Sequence, residues 1–118
     1  MAASLTLQLQ YGYTNGDDIQ QQVTQRITSA PASSARIDVN IPTTTGDATL
    51  DTTLVASIGY VVIINLDATD AVVIGSNGAL YDTKIKAGGF YAGFWNSAAI
   101  HYKSSANTPR LRVLVWSA

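Results

Sequence analysis

Apolar and polar residues alternate from the start of the chain. Leu5, Leu7, Leu9 and Tyr11 are separated by Thr6, Gln8 and Gln10. That is the period of two expected of a strand with one buried face. Thr14-Asn15-Gly16-Asp17 reads as a turn, because Asn-Gly adopts positive φ at little cost. The next segment is ambiguous. Ile19, Val23 and Ile27 sit four apart, as on a helix face, but they also share odd positions with Gln21 and Gln25 while the even positions are polar. The β-branched residues favour a strand. Residues 29–34, with Pro31 among them, predict a loop.

Further strands are predicted along the rest of the chain. Ile37, Val39 and Ile41 alternate with Arg36, Asp38 and Asn40, and a threonine-rich turn covers 42–47. Leu50, Thr52, Leu54, Ala56 and Ile58 would line one face of a strand. Residues 60–66 are nearly all apolar, 67–70 make a turn, and 71–74 return as a strand. Gly75-Ser76-Asn77-Gly78 is the next turn, followed by strands near 80–86, 90–95, 100–103 and 110–116. Nine or ten short runs divided by turn signals, with no clear helix and no linker, predict one all-β domain. The expected form is an antiparallel β-sandwich of jelly-roll type.

Some runs break the alternation. An antiparallel sandwich usually shows water one face of each sheet, so its strands should alternate. Val61-Val62-Ile63-Ile64 and Phe90-Tyr91-Ala92-Gly93-Phe94-Trp95 do not. The last strand puts Leu111, Val113 and Val115 on one face and Leu114 and Trp116 on the other. Three explanations stand open: cover by the chain's own loops, a subunit interface, or stray exposed apolar residues. If an interface is the answer, its residues are Val62, Ile64, Phe94, Trp95 and Trp116.

Composition sharpens this picture. Of the 118 residues, 13% are charged, against a usual ~25%. All eight acidic residues are aspartate, and there is no cysteine. A surface of small polar groups loses little side-chain entropy against another protein, whereas a free monomer normally carries more charge. A net charge of −1 gives no electrostatic case for nucleic acid or an anionic membrane as partner. Met1-Ala2-Ala3-Ser4 has neither the basic start nor the apolar run of a signal peptide. The apolar run at 61–64 is too short to span a bilayer. A soluble protein made in a cytoplasm is expected, with residues 1–4 as a flexible arm.

Candidate chemistry is sparse. The single histidine, His101, falls beside Lys103 on the strand face opposite Ile100 and Tyr102. With no cysteine and no second histidine, it predicts a surface residue. Asn15, Asp17 and Asp18, and again Asp67, Thr69 and Asp70, offer oxygens of the kind calcium takes. Neither set follows a calcium-loop pattern, and turn chemistry accounts for both. Gly88-Gly89 and Gly75-Ser76-Asn77-Gly78 lack the lysine and helix start of a phosphate loop. The pairs Lys84/Lys86 and Arg110/Arg112 read as solvated faces. Tyr91, Trp95, Tyr102 and Trp116 could stack on sugars, although their apolar neighbours favour packing. The expectation is a protein that is not an enzyme and has no cofactor or metal.

Residues 59–75, Gly59-Tyr60-Val61-Val62-Ile63-Ile64-Asn65-Leu66-Asp67-Ala68-Thr69-Asp70-Ala71-Val72-Val73-Ile74-Gly75, resemble a strand–turn–strand segment of small virion proteins from tailed bacteriophages. Lys86-Ala87-Gly88 and the closing Leu111-Arg112-Val113-Leu114-Val115-Trp116 resemble the same group, so the likeness covers roughly residues 50–116. Asp70 stands where asparagine is common there, and Gly89 where an acidic residue is. The resemblance implies a capsid cement or decoration protein on the virion surface. It would be a homotrimer of β-sandwiches that binds the major capsid protein and stabilises contacts between capsomers. A tail, fibre or baseplate subunit and a glycan-binding module using Tyr91, Trp95 or Tyr102 are the alternatives.

Overall fold

The computed structural model describes residues 4–16, 18–29, 35–55, 57–106 and 109–118. These fall into two compact units, Met1–Ala32 and Ser33–Ala118. The described residues form strands, turns and loops, and no helix. Residues 1–3 of the arm expected at 1–4, the tail of the first turn at Asp17 and most of the loop at 29–34 lie outside the described residues.

The first unit is one antiparallel hairpin. β1 (Leu5–Asn15) pairs with β2 (Asp18–Ser29), and the register sets Leu7 opposite Ile27 and Tyr11 opposite Val23. The ambiguous segment is therefore a strand. Gly16 at φ 60° makes the turn, a conformation that glycine reaches without a Cβ penalty. A register shift lies between Tyr11 and Tyr13. Arg26 donates from Nη2 to Gln8 Oε1 at 3.1 Å across the ladder.

The second unit holds eight strands: β3 (Ala35–Pro42), β4 (Ala48–Thr49), β5 (Ile58–Asn65), β6 (Val72–Gly75), β7 (Thr83–Ile85), β8 (Phe90–Phe94), β9 (His101–Ser104) and β10 (Arg110–Ser117). They make two antiparallel four-stranded sheets, ordered β3-β10-β5-β8 and β4-β9-β6-β7. The inward residues of both sheets meet in one apolar cluster. Val61 and Ile63 of β5 join Leu111, Val113 and Val115 of β10 from the first sheet, and Val72, Ile74, Ile85 and Tyr102 come from the second. Alternation in β10 is as its sequence predicts: its odd positions are buried and Leu114 and Trp116 lie on the other face.

Two expectations fail on local chemistry. Residues 50–55 and 57 are not in a strand: β4 ends at Thr49, and β5 starts only at Ile58. Asp51 Oδ1 accepts from the Thr53 backbone N–H at 3.0 Å and the Thr53 hydroxyl at 2.8 Å, and Val55 N–H donates to Thr52 O at 2.9 Å. An aspartate that satisfies the backbone two residues on competes with a ladder. Leu50, Val55 and Ile58 reach the core, Leu54 does not, and Ala56 lies outside the described residues.

The second failure is the facing of β3. Its alternation suggested Ile37, Val39 and Ile41 on one face. Instead Arg36 and Asp38 lie opposite the inward Val115 and Val113, while Ile37 lies opposite the outward Leu114. A bulge between Asp38 and Ile41, with Asn40 at φ 60°, turns Ile41 back inward to pair with Leu111. A bulge adds one residue and so exchanges the faces of everything beyond it. Arg36 Nε donates to Asp38, and that bond holds the guanidinium pKa above its ordinary value. The pairing lets two charged side chains sit half-buried at the edge of the sheet.

Candidate binding surface

The outward faces of the two sheets differ sharply. Across β4-β9-β6-β7 the outward positions are Thr49, His101, Lys103, Val73 and Lys84. Apart from Val73 this is a polar face of the kind water accepts. Across β3-β10-β5-β8 they are Ile37 and Val39, then Leu114 and Trp116, then Tyr60, Val62 and Ile64, then Phe90, Ala92 and Phe94. Arg112, opposite Ile64, and Arg110, at the start of β10 and bonded from Nη1 to Asn40 O at 3.2 Å, are the charged residues on this face. Ile37 and Phe90 are each 64% exposed, and Phe94 52%. The Phe94 ring meets Tyr60 edge-on, with centroids 5.6 Å apart at 81°. Apolar side chains therefore cover the outer surface of β5 and β8 and continue across part of β10 and β3, with the two arginines at one end.

Four of the five residues named from sequence fall on this one face. Val62 and Ile64 are on β5, Phe94 on β8 and Trp116 on β10. Trp95 does not join them. It lies in the core, 8% exposed, and its indole N–H donates to Ala99 O at 2.9 Å. Sequence reasoning missed Ile37, Val39 and Phe90. The signal for Phe90 was present in the unbroken apolar run of β8. No signal marked Ile37 and Val39, because the bulge at Asn40 decides their direction.

No protein-family model, no curated protein and no solved structure matches this chain. The surface must therefore be read from its own chemistry.

The candidate stacking residues are placed as follows. Tyr102 is buried, and burial raises its hydroxyl pKa. Tyr91 faces inward at the sheet edge, opposite Ile63, and packs edge-on against Trp95 at 5.9 Å and 87°. Trp95 and Tyr102 are thus buried in packing.

The polar clusters have structural work. His101 Nδ1 lies 3.1 Å from each carboxylate oxygen of Asp47 and 3.4 Å from Thr49 Oγ1. The Tyr81 hydroxyl donates to the same Asp47 carboxylate, and Lys103 Nζ sits 4.4 Å above the Tyr81 ring. This group ties the loop before β4 to the loop before β7. His101 and Asp47 lie 54 residues apart, so no local motif could announce the group. Asp67 Oδ2 accepts from the backbone N–H of Asp70 at 2.6 Å and of Thr69 at 3.1 Å. These bonds hold its pKa below the usual carboxylate range. That is the turn chemistry expected of the Asp67, Thr69 and Asp70 set. The Asn15, Asp17 and Asp18 set includes Asp17, which lies outside the described residues.

Proposed function

We propose that the chain is a structural virion protein of tailed bacteriophages, a capsid cement subunit that self-associates as a homotrimer and works by binding, without catalysis. The observation that carries this reading is the apolar outer face of the β3-β10-β5-β8 sheet. At roughly 200 Å² per phenylalanine, the exposed fractions of Phe90 and Phe94 amount to about 230 Å². Burying that much yields about 6 kcal/mol before costs. Association costs about 4–15 kcal/mol, so two rings alone do not hold a complex. The whole face, from Ile37 to Phe94, is what a second copy must cover. The trimeric state follows from the resemblance to phage virion proteins.

Strand order supports the finer fold. Counted within the second unit, the first strand pairs with the last (β3·β10), the second with the next to last (β4·β9), then β5 with β8 and β6 with β7. A long antiparallel ribbon wrapped into two sheets gives this order, and it is the basis for reading the unit as a β-sandwich of jelly-roll type. In the proposed assembly the apolar face joins subunits. The polar face with Lys84, His101 and Lys103 is left for the major capsid protein. Several attachment points per trimer make individually modest contacts strong through effective concentration.

The test is the number of copies on purified particles from the protein's source, followed by re-addition to particles stripped of it. Copies in the hundreds whose loss lowers resistance to heating, restored on re-addition, support a cement role. A handful of copies confined to the tail would replace it with a tail or baseplate role.

A further inference from the structure

A cleft of about 420 Å³ opens between the loop that follows β4 and the loop that follows β8, within the range of small-molecule sites. Its apolar lining is the buried Val55, Ile58 and Trp95 with the half-exposed Phe94. Its rim carries Thr52, Ser57 and Asn96. Among the described residues, no hydrogen bond within the chain occupies the side chains of these three. None of the residues lining the cleft is charged.

We infer that this cleft binds a neutral sugar. A charged ligand would lose hydration on entering and meet no countercharge. A purely apolar ligand would strip water from the Asn96 amide and two hydroxyls without replacing their bonds. A pyranose fits both halves. Its C–H face packs on an apolar floor beside an aromatic ring, and its hydroxyls both donate and accept. Asn96 supplies a donor and an acceptor on one side chain, and Thr52 and Ser57 do the same through rotatable hydroxyls. Of the Tyr91, Trp95 and Tyr102 suggested by sequence, Trp95 lines the cleft and Tyr91 and Tyr102 do not; Phe94 is the added aromatic ring. This inference goes beyond the cement reading and shares Phe94 with it: where another copy covers that ring, Val55, Ile58 and Trp95 remain as the apolar wall of the cleft.

The experiment follows backbone amide NMR shifts of the full chain during separate titrations with glucose, galactose, mannose and N-acetylglucosamine. Saturable shifts at Ser57, Asn96 and Ser97 are expected with at least one sugar, at millimolar affinity. Asn96→Ala should weaken that binding about three- to tenfold, the effect of one neutral hydrogen bond. Ser57→Ala should weaken it in the same range. Both sites are exposed, so the variants should retain the wild-type spectrum elsewhere. No saturable shift with any of the four up to roughly 100 mM, a far weaker limit than 1 mM binding, would overturn the inference. Equal affinity in the wild type and both variants would do the same. The subunit mass in the same samples is read separately: a single-subunit mass with saturable shifts overturns the trimer alone, and absent shifts overturn the sugar site at either mass.

Discussion

The side-chain amide of Asn65 donates to the carbonyl of Ile85, 3.2 Å away and 20 positions along the chain. The same nitrogen donates to Asp70 O at 2.9 Å, and Asn65 Oδ1 accepts from the Asp67 backbone N–H at 3.0 Å. The residue is completely buried. One polar side chain thus closes the turn after β5 and joins the end of β5 to β7, on the other sheet. Asparagine is required because the site needs a donor and an acceptor together. Asn65→Ala leaves two carbonyls and an N–H short of a partner, and should lower unfolding free energy by about 2–4 kcal/mol. Urea denaturation measures this. A loss below about 0.5 kcal/mol, the scale of an ordinary surface change, would show that the turn is held by something else.

Gly75 ends β6 where the chain passes its own next turn. A Cβ placed there would lie 1.7 Å from the Leu80 carbonyl oxygen, so backbone must move to admit one. Gly75→Ala should cost about 3 kcal/mol or more, at the upper end of overpacking effects. Gly88→Ala offers a control of different origin: a Cβ there meets nothing within 4 Å, but φ is +72°. Only the positive-φ penalty applies, about 1–2 kcal/mol. Thermal denaturation of the two variants should rank them in that order.

Asp67 gives the fold a defined acid response. Its folded pKa is depressed, first by the Asp70 N–H and then by the Thr69 N–H. A depressed carboxylate contributes stability that is present above its unfolded value of about 3.9 and lost as pH falls through the lower folded value. Asp67→Asn should therefore be less stable than wild type at pH 6. The two should converge as pH falls through that lower folded value. Parallel curves of thermal midpoint against pH would contradict the assignment.

Much of the architecture was legible in the sequence, for a physical reason. Strand breaks fall at turn residues such as Asn15-Gly16 and Asp67-Ala68-Thr69-Asp70, whose chemistry is local. The two-sided apolar character of β5, β8 and β10 was likewise visible as failed alternation. What was hidden depends on longer-range geometry. Ile37 and Val39 look like core residues until the bulge at Asn40 turns them outward. Trp95 looked like its neighbour Phe94, but it follows the last residue of β8 and turns into the core. The Asp47, Tyr81 and His101 group joins three segments whose proximity only the sheet creates.

The central claim is that the outer face of the β3-β10-β5-β8 sheet is covered by other copies of the chain. Light scattering on the purified protein tests it most directly. The account predicts a particle of three times the 12.5 kDa subunit mass. It also predicts that Ile37→Lys combined with Phe90→Lys, at two positions each 64% exposed, reduces the particle to a folded single subunit with an unchanged circular dichroism spectrum. A buried lysine without a partner is too costly for the contact to survive. A wild-type protein that stays at 12.5 kDa at the highest attainable concentration would contradict the claim, as would a double variant that keeps the wild-type mass.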